Sequence, residues 1–477
     1  MTLQLSLLLN KVMLSVTSDM TEGKIALILL MTTIPPKDSP WGVPAKLPPL
    51  GLSYVAGALE KAGFQVQMLD NYQLRTTIDF VKQEVLRLKP EIVGITCGSV
   101  TYRRCVEMAK AIKEVCPSCK VVVGGWHASY LPDSALENPE IDYAVMGEGE
   151  RAMVELATQI TKGADQQTIA QIAGVACRIQ GKIVKTPPKL IEDLDTVPYP
   201  ARHLLPMEIY DRQIGYLKAK PVDVMHVMRG CPYDCNYCET KKLWGMKCRA
   251  FSPQRVVEEL EYMQEKFGSK GIYFIDDNFT INKQHTIELC RLMKERKLDL
   301  QWACDTRVDL LSEDLLKEMR DAGCRTIFFG IQSGSQRILD KLNTNTTPEK
   351  IAAAFKLCRK ADIKIASSFM LGIPGETVAD MEATYKFAKK LGPDWATFYV
   401  FIACPTSRLY DEVLGKHLYD RMDDFLAFVK TDQFNYESVV AIQKHYQRGF
   451  NTAPKTLLRR IRRDGLLTFL KSVSRMR

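Results

Sequence analysis

The sequence predicts an α/β protein of two modules: a doubly wound domain on a five-stranded parallel sheet, then an incomplete (β/α)6 barrel, ending in a helical region. Three observations carry this. Short apolar runs alternate with segments of helical period in two series, a Pro-rich stretch separates the series, and most runs end in glycine or small polar residues.

In the first series the runs are Lys24 to Met31, Gln65 to Leu69, Glu91 to Thr96, Lys120 to Gly124 and Asp142 to Gly147. Leu52, Val55, Ala56 and Leu59 stand at i, i+3, i+4 and i+7, and Cys105, Met108, Ala109 and Ile112 repeat the spacing, which gives one-sided helices between buried strands. Such a Rossmann-like (flavodoxin-like) domain, over residues 24–185, binds ligands beyond the carboxyl ends of its strands. Those ends carry Pro48-Pro49-Leu50-Gly51, Thr96-Cys97-Gly98-Ser99, Gly124-Gly125-Trp126-His127 and Gly147-Glu148-Gly149-Glu150. Glycine lets backbone approach a ligand closely, so four such turns on one rim suit a wide, flat partner; the plainer reading is that βα turns are glycine-rich anyway.

Val175 to Ile179 and Lys182 to Lys185, around Gln180-Gly181, read as a hairpin. Residues 186–206, with Pro187, Pro188, Pro198, Pro200 and Pro206, read as a stiff linker. The second series, over 207–410, has strands at Asp223 to Met228, Gly271 to Ile275, Leu300 to Asp305, Thr326 to Ile331, Ile363 to Leu371 and Ala396 to Ile402. Six βα units suit a partial TIM-type barrel, with its chemistry at the carboxyl ends. Residues 411–477 turn helical and polar, and residues 1–23 form an N-terminal extension in which Met20 offers a second start.

Composition sets the outer limits. With 46% apolar and 25% charged residues, the 477-residue chain is an ordinary folded protein. Its 14 cysteines are too sparse for a disulfide scaffold, and Cys97, Cys290, Cys324 and Cys358 lie in core-like runs, which points to a reducing, cytoplasmic setting. No run reaches the roughly 18 apolar residues of a membrane-spanning helix. Of the net charge of +9, residues Lys455 to Arg477 hold eight Lys/Arg and one Asp, or +7, leaving +2 for the rest. A near-neutral body speaks against nucleic-acid binding. In the tail Leu457, Leu458 and Ile461 interleave with Arg459, Arg460, Arg462 and Arg463, a basic amphipathic pattern that suits an anionic inner membrane surface or docking on the barrel.

Residues Arg229-Gly230-Cys231-Pro232-Tyr233-Asp234-Cys235-Asn236-Tyr237-Cys238 place three thiols within eight positions, just after the first barrel strand. Soft ligands on so short a loop suit zinc or an iron–sulfur cluster. No CxxC or HxxxH nearby supplies the fourth ligand of a closed zinc site, whereas a three-cysteine cluster keeps one iron open. Cys116-Pro117-Ser118-Cys119 is a lone CxxC in a helix-to-strand loop, with no second pair.

CxxxCxxC at this place, with Tyr237 directly before the last cysteine, resembles the signature of the radical S-adenosylmethionine (SAM) enzymes. The resemblance implies a [4Fe-4S] cluster on Cys231, Cys235 and Cys238, whose open iron chelates SAM. It continues along the strand ends. Ile275-Asp276-Asp277-Asn278-Phe279 stands where the family commonly has Gly-Gly-Glu, and implies Asp276 and Asp277 at the SAM amino group. Asp305-Thr306-Arg307 adds Arg307. Gly330-Ile331-Gln332-Ser333-Gly334-Ser335 resembles the segment at the SAM ribose and carboxylate, implying Gln332, Ser333, Gly334 and Ser335, with Gln332 where relatives often have Glu. Gly372-Ile373-Pro374-Gly375-Glu376-Thr377 looks like the adenine loop, implying Gly372, Ile373 and Pro374; Tyr237 completes the SAM set.

The first module is similar to the cobalamin-binding domain fused to many radical SAM enzymes, so that the resemblance covers residues 24–405. It implies cobalamin against Pro49, Leu50, Gly51, Thr96, Gly98, Ser99, Gly124, Gly125, Trp126, His127, Gly147, Glu148 and Gly149. None of the six histidines has Asp two before and Gly three after it, so cobalt is expected without a histidine below it, and His127 is expected at the corrin rim.

The implied chemistry is C-methylation: a 5′-deoxyadenosyl radical takes hydrogen from an unactivated carbon of a small or lipid-like substrate, and methylcobalamin supplies the methyl group. A reductant such as flavodoxin or ferredoxin is implied. The alternatives are a non-methylating relative, such as an oxidative cyclase or ring-rearranging enzyme of tetrapyrrole or natural-product synthesis, a cobalamin-binding regulator, and a tRNA-modifying enzyme. The intact thiol trio argues against the regulator, and the near-neutral body against the tRNA enzyme.

Overall fold

A computed structural model describes residues 26–34 and 47–464. The expectations for residues 1–23, for Met20 as a start and for the tail beyond 464 lie outside them. The chain forms two compact units, one of residues 1–188 and 197–211, the other of 189–196 and 212–477.

The first unit carries a seven-stranded sheet of order β2-β1-β3-β4-β5-β6-β7. Its strands are β1 (Leu27–Thr32), β2 (Gln65–Leu69), β3 (Ile92–Thr96), β4 (Lys120–Gly124), β5 (Tyr143–Val145), β6 (Val175–Ile179) and β7 (Lys182–Lys185). The first five are parallel. Alternate residues feed two cores: Ile28, Leu30 and Val122 pack under α1 (Leu50–Lys61) and α4 (Gly149–Thr161), while Leu29, Met31, Val121 and Val123 pack under α2 (Ile78–Leu88) and α3 (Tyr102–Val115). A strand buried on both faces needs apolar residues at every position, which is why these read as continuous runs. The expected sheet of five strands is thus two short: the hairpin of β6 and β7 extends it, pairing antiparallel through Tyr143↔Cys177.

The second unit carries six parallel strands: β8 (Val222–Met225), β9 (Gly271–Phe274), β10 (Gln301–Asp305), β11 (Cys324–Gln332), β12 (Lys364–Leu371) and β13 (Trp395–Val400). They run in sequence order, so the sheet is an arc of a barrel. Helices α5 (Pro253–Phe267), α6 (Lys283–Glu295), α7 (Glu313–Asp321), α8 (Pro348–Lys360) and α9 (Val378–Leu391) connect successive strands.

Two expectations need correction. Residues 186–206, expected as a stiff linker, do contain the division between the units but are packed in part: residues 197–206 belong to the first unit, where Val197, Ala201 and Leu205 are buried and Ala201 N donates to Ser53 O (2.9 Å). Prolines stiffen this stretch, but the apolar residues between them have a core to join. Nor is the region after 410 only helical. Besides α10 (Arg408–Gly415), α11 (Tyr436–Thr452) and α12 (Pro454–Asp464), it has a three-stranded antiparallel sheet of β14 (Ile402–Ala403), β15 (Tyr419–Asp423) and β16 (Leu426–Val429). All four β16 residues are buried, and so polar a flank as Asp423-Asp424 hides so short a strand from a pattern reading.

Candidate functional site

In the second unit the cysteine loop follows Met228–Arg229, a two-residue strand paired with Arg249–Ala250. Gly230 is at φ +97°, and a Cβ there would lie 2.3 Å from Lys247 O, so only glycine makes this turn. The loop is tied down on one side: Asn236 Nδ2 donates to Lys341 O (2.7 Å) and Asn343 Nδ2 to Asp234 O (2.7 Å), while Asp234 pairs with Lys241 and Arg408. Cys231, Cys235 and Cys238 are unbridged and partly exposed. Among the described residues no three ligating side chains converge on a point as a single ion requires.

Burial pushes the Cys231 thiol up to about 11 and raises Cys235, with the neighbouring Cys238 adding to both and Arg307 opposing the rise at Cys235. Thiols whose ionisation is opposed by burial and by one another suit a centre whose iron charge stabilises the thiolates. Asn278, which the sequence reading passed over as a binding residue, donates from Nδ2 to Cys231 Sγ (3.1 Å). Its Oδ1, together with Asp276 Oδ2, is buried with no hydrogen-bond partner in the described structure. An orphaned acceptor beside Cys231 and another just beyond β9 fit an ammonium-bearing ligand such as SAM.

The residues expected to hold SAM divide by what already occupies them. Asp276 Oδ1 accepts from Val227 N (2.8 Å) and Met228 N (2.7 Å), stapling the end of the first strand, and Asp277 accepts from Thr240 Oγ1 (3.1 Å). Arg307 is committed to Asp309 (2.9 and 3.0 Å), to Thr344 O (2.7 Å) and to the face of Tyr233, so it clamps the cysteine loop. Tyr237 lies near Gln332, which sits at φ +68° beyond a register shift in β11. Ser333 is buried against Thr384 (3.0 Å), Gly334 is forced by the closeness of α9, and Ser335 Oγ donates to Asp380 (2.7 Å). Gly372 and Ile373 donate from N to Glu376 Oε2 (2.7 and 3.0 Å), and Pro374 beside them is buried. Burial pushes the Glu376 carboxyl up to about 8.

The first unit has a cleft of about 330 Å3 at the point where strand order reverses, between β1 and β3. Pro49, Thr96, Gly98 and Trp126, four of the residues the resemblance implies for cobalamin, line it together with Thr32, Thr33, Asp70, Tyr72, Cys97, Thr101 and Leu47. Cys97 and Thr101 belong to the turn after β3, whereas the others end or follow β1, follow β2 or precede α1, where no glycine gives a signal. Trp126 is 61% exposed. Gly51 and Gly98 have open space where a Cβ would stand.

The other expected cobalamin residues serve the fold around the cleft. Leu50 and Glu148 are buried, and Gly124 ends β4. Gly125 is at φ +88°, and a Cβ there would lie 2.9 Å from Cys97 O; Gly147 is at φ +69° beside Pro188; a Cβ on Gly149 would lie 3.1 Å from Val55 of α1, so glycine eases the approach of α4. His127 is corrected: it is fully buried, its Nδ1 on Ser99 Oγ (3.3 Å), its Nε2 on Ser134 Oγ (2.8 Å), and its ring stacked on Tyr102 at 4.0 Å. It is not among the residues that line the cleft, and burial lowers its basicity to about 4, keeping it neutral. Cys119 of the lone CxxC is buried, its thiol pushed up to about 12 by burial, which makes it inert.

Comparison with known proteins agrees with both halves. The Radical SAM superfamily profile matches residues 225–388, and the B12 binding domain profile matches residues 43–157. An uncharacterized methyltransferase of Pyrococcus horikoshii is 32% identical over 87% of this chain and 90% of its own length. The anaerobic magnesium-protoporphyrin IX monomethyl ester cyclase of Rubrivivax gelatinosus is 33% identical over 77% of this chain and 67% of its own. Among solved structures, the radical SAM methyltransferase TsrM of Kitasatospora setae, with cobalamin and a [4Fe-4S] cluster bound, superposes with a TM-score of 0.69 at 22% identity, over 89% of this chain and 85% of that one. A loop of three thiols on an arc of parallel strands, in one chain with a switch-point cleft, and this extent of likeness place the chain in the cobalamin-binding branch of the radical SAM superfamily.

Proposed function

We propose that the protein transfers a methyl group to carbon on a small molecule, with Cys231, Cys235 and Cys238 holding the cluster. The observation that carries this is the thiol loop, braced by Asn278 and Arg307 at the carboxyl ends of the barrel strands. When bound, the cluster and SAM together supply a 5′-deoxyadenosyl radical, and cobalamin supplies the methyl group. The chain's own residues position these partners. Asn278 offers a buried acceptor beside Cys231 and Asp276 another just beyond β9, Tyr237 lies near Gln332 at the end of β11, and Glu376 holds the backbone of the 372–374 loop. In the first unit Gly98, Thr96 and Trp126 offer an open rim to a flat macrocycle.

The reading extends to a flavodoxin- or ferredoxin-like reductant, no nucleic-acid partner, and a cytoplasmic setting in which the basic end of the chain touches the inner membrane surface. Among the described residues no helix is long and apolar enough to cross a membrane. The likeness to the cyclase of Rubrivivax gelatinosus favours the non-methylating alternative as the second reading. Anaerobic protein reconstituted with iron, sulfide and hydroxocobalamin, given a reductant, methyl-labelled SAM and an extract of the producing organism, separates the two. Label in an extractable product supports methylation. 5′-Deoxyadenosine formed in step with extract, with no labelled product, favours the cyclase-like chemistry.

A further inference from the structure

The lumen face of the second unit's sheet sets a row of small residues above a row of rings. On β10 Trp302 and Cys304 are fully buried on the helix side, where Trp302 meets Phe274 and Phe279 at 5.5 and 5.3 Å, so the alternation of the strand puts Ala303 and Asp305 on the lumen side. Register then aligns one row across that face: Asp305↔Phe328, Phe328↔Ala366, Ala366↔Trp395. The small Ala366 leaves a gap, and the Tyr216 ring fills it, 5.9 Å from Phe328 and 5.6 Å from Trp395. This is an aromatic floor.

The next row toward the carboxyl ends is small: Gly330↔Ser368 and Ser368↔Thr397, with Gly330 exposed. Above it Tyr399 is 44% exposed. Small residues over an aromatic floor leave room for a flat apolar body.

One carboxyl stands at the edge of this space, and its bonding differs from that of its structural neighbours. Asp223 is saturated by Arg212 and Ser269, and Asp276 staples two backbone N–H groups. Asp305 has a single side-chain donor among the described residues, Tyr273 Oη at 2.6 Å. A carboxyl so desolvated and so sparsely paired has acceptor capacity left over. Burial pushes it up to about 7, with Asp276 and Asp277 adding to the rise.

We propose that Asp305, held in place by Tyr273, accepts a hydrogen bond from an N–H or O–H group of a planar, ring-bearing substrate seated on the floor of Tyr216, Phe328 and Trp395. This rests on the reading of the second unit as the substrate-facing module of a radical enzyme, and it adds the substrate class and the residue that selects it. Asp305 would be a substrate contact and Tyr273 a positioning residue.

The test uses the reconstituted full-length enzyme and two probes, 2-naphthol and 2-methoxynaphthalene, which share a ring system and differ in the donor. Equilibrium dialysis should show 2-naphthol bound about tenfold more tightly, the worth of one hydrogen bond to a carboxyl. Asp305→Ala should abolish that preference while the methoxy probe binds as before, and Tyr273→Phe should narrow it. If Asp305→Ala does not fold by circular dichroism, Asp305→Asn, of the same shape and a weaker acceptor, should narrow it severalfold. A carboxyl acceptor would equally suit the ammonium of SAM, so SAM binding is measured in parallel. Equal affinity for both probes in the wild type, failure of both to bind, or a preference that survives Asp305→Ala overturns the assignment. So does loss of SAM binding in Asp305→Ala with the probe preference intact. The probes need neither electron nor methyl donor, so this assignment can fail while methyl transfer stands, and the reverse.

Discussion

The guanidinium of Arg307 lies 3.7 Å from the centre of the Tyr233 ring, between the first and second cysteines of the trio, while its Nε and Nη2 donate to Asp309 and Thr344 O. A residue two positions beyond β10 thereby fixes a loop that follows β8. The cation is also the positive charge that opposes the rise at Cys235.

Arg307→Ala removes a cation–π contact worth about 0.5–2 kcal/mol and a planar fork of hydrogen bonds, and frees the loop. Iron and sulfide bound per chain after anaerobic reconstitution should fall by about half or more, and the potential of any cluster formed should move negative. Arg307→Lys, which keeps the charge without the fork, should fall between. Wild-type iron content together with an unmoved potential would refute the clamp.

Trp126 and His127 adjoin in sequence and should behave oppositely. Trp126→Ala removes an exposed ring at the cleft, so stability should stay within about 0.5 kcal/mol while cobalamin retained through gel filtration drops. His127→Ala deletes a buried ring with two hydrogen bonds and a stacked partner, and should cost about 2–4 kcal/mol in urea unfolding.

Two glycines of the same rim divide in the same way. Gly98→Ala meets nothing within 4 Å and should leave the melting temperature unchanged while weakening cobalamin uptake. Gly125→Ala, at φ +88° with Cys97 O 2.9 Å from the new Cβ, should lower the melting temperature by several degrees, a cost of about 1–3 kcal/mol. Equal melting temperatures for the two variants would show that the rim backbone is freer than its geometry indicates.

Glu376 makes stability depend on pH. Burial raises its carboxyl from 4.5 to about 8, so between those values the folded chain binds this proton more tightly than the unfolded chain does. The stabilisation is complete below about pH 4.5 and is lost as pH rises through about 8. Glu376→Gln keeps an acceptor for Gly372 and Ile373 N–H and carries no proton to lose, so its melting temperature should fall less than that of the wild type from pH 5 to pH 8. Parallel curves would mean that the carboxyl is already ionised in the fold.

Much of the site was legible in one dimension because its chemistry is local. Three thiols within eight residues need no long-range contact to be recognised, and a doubly wound sheet announces itself through runs that are apolar at every position. Asn278 stands within the 275–279 motif but gives no signal of its own, because its bond is to Cys231, 47 positions away. Spacing around Gln180-Gly181 predicts the hairpin of β6 and β7, yet its edge pairing with Tyr143 leaves no trace there.

What the amino-acid order alone determined was which residue types meet within a turn or two: the cysteine loop, the glycine-bearing strand ends and the alternation of strand with helix. The tertiary structure decided which of those glycines face open space and which are forced by packing. It turned His127 inward and Trp126 outward, and it committed Arg307 to Tyr233. The physical reason is that burial and hydrogen-bond occupancy are properties of neighbours distant along the chain. Local sequence sets what a side chain can do, and the packed partners determine what is left for it to do.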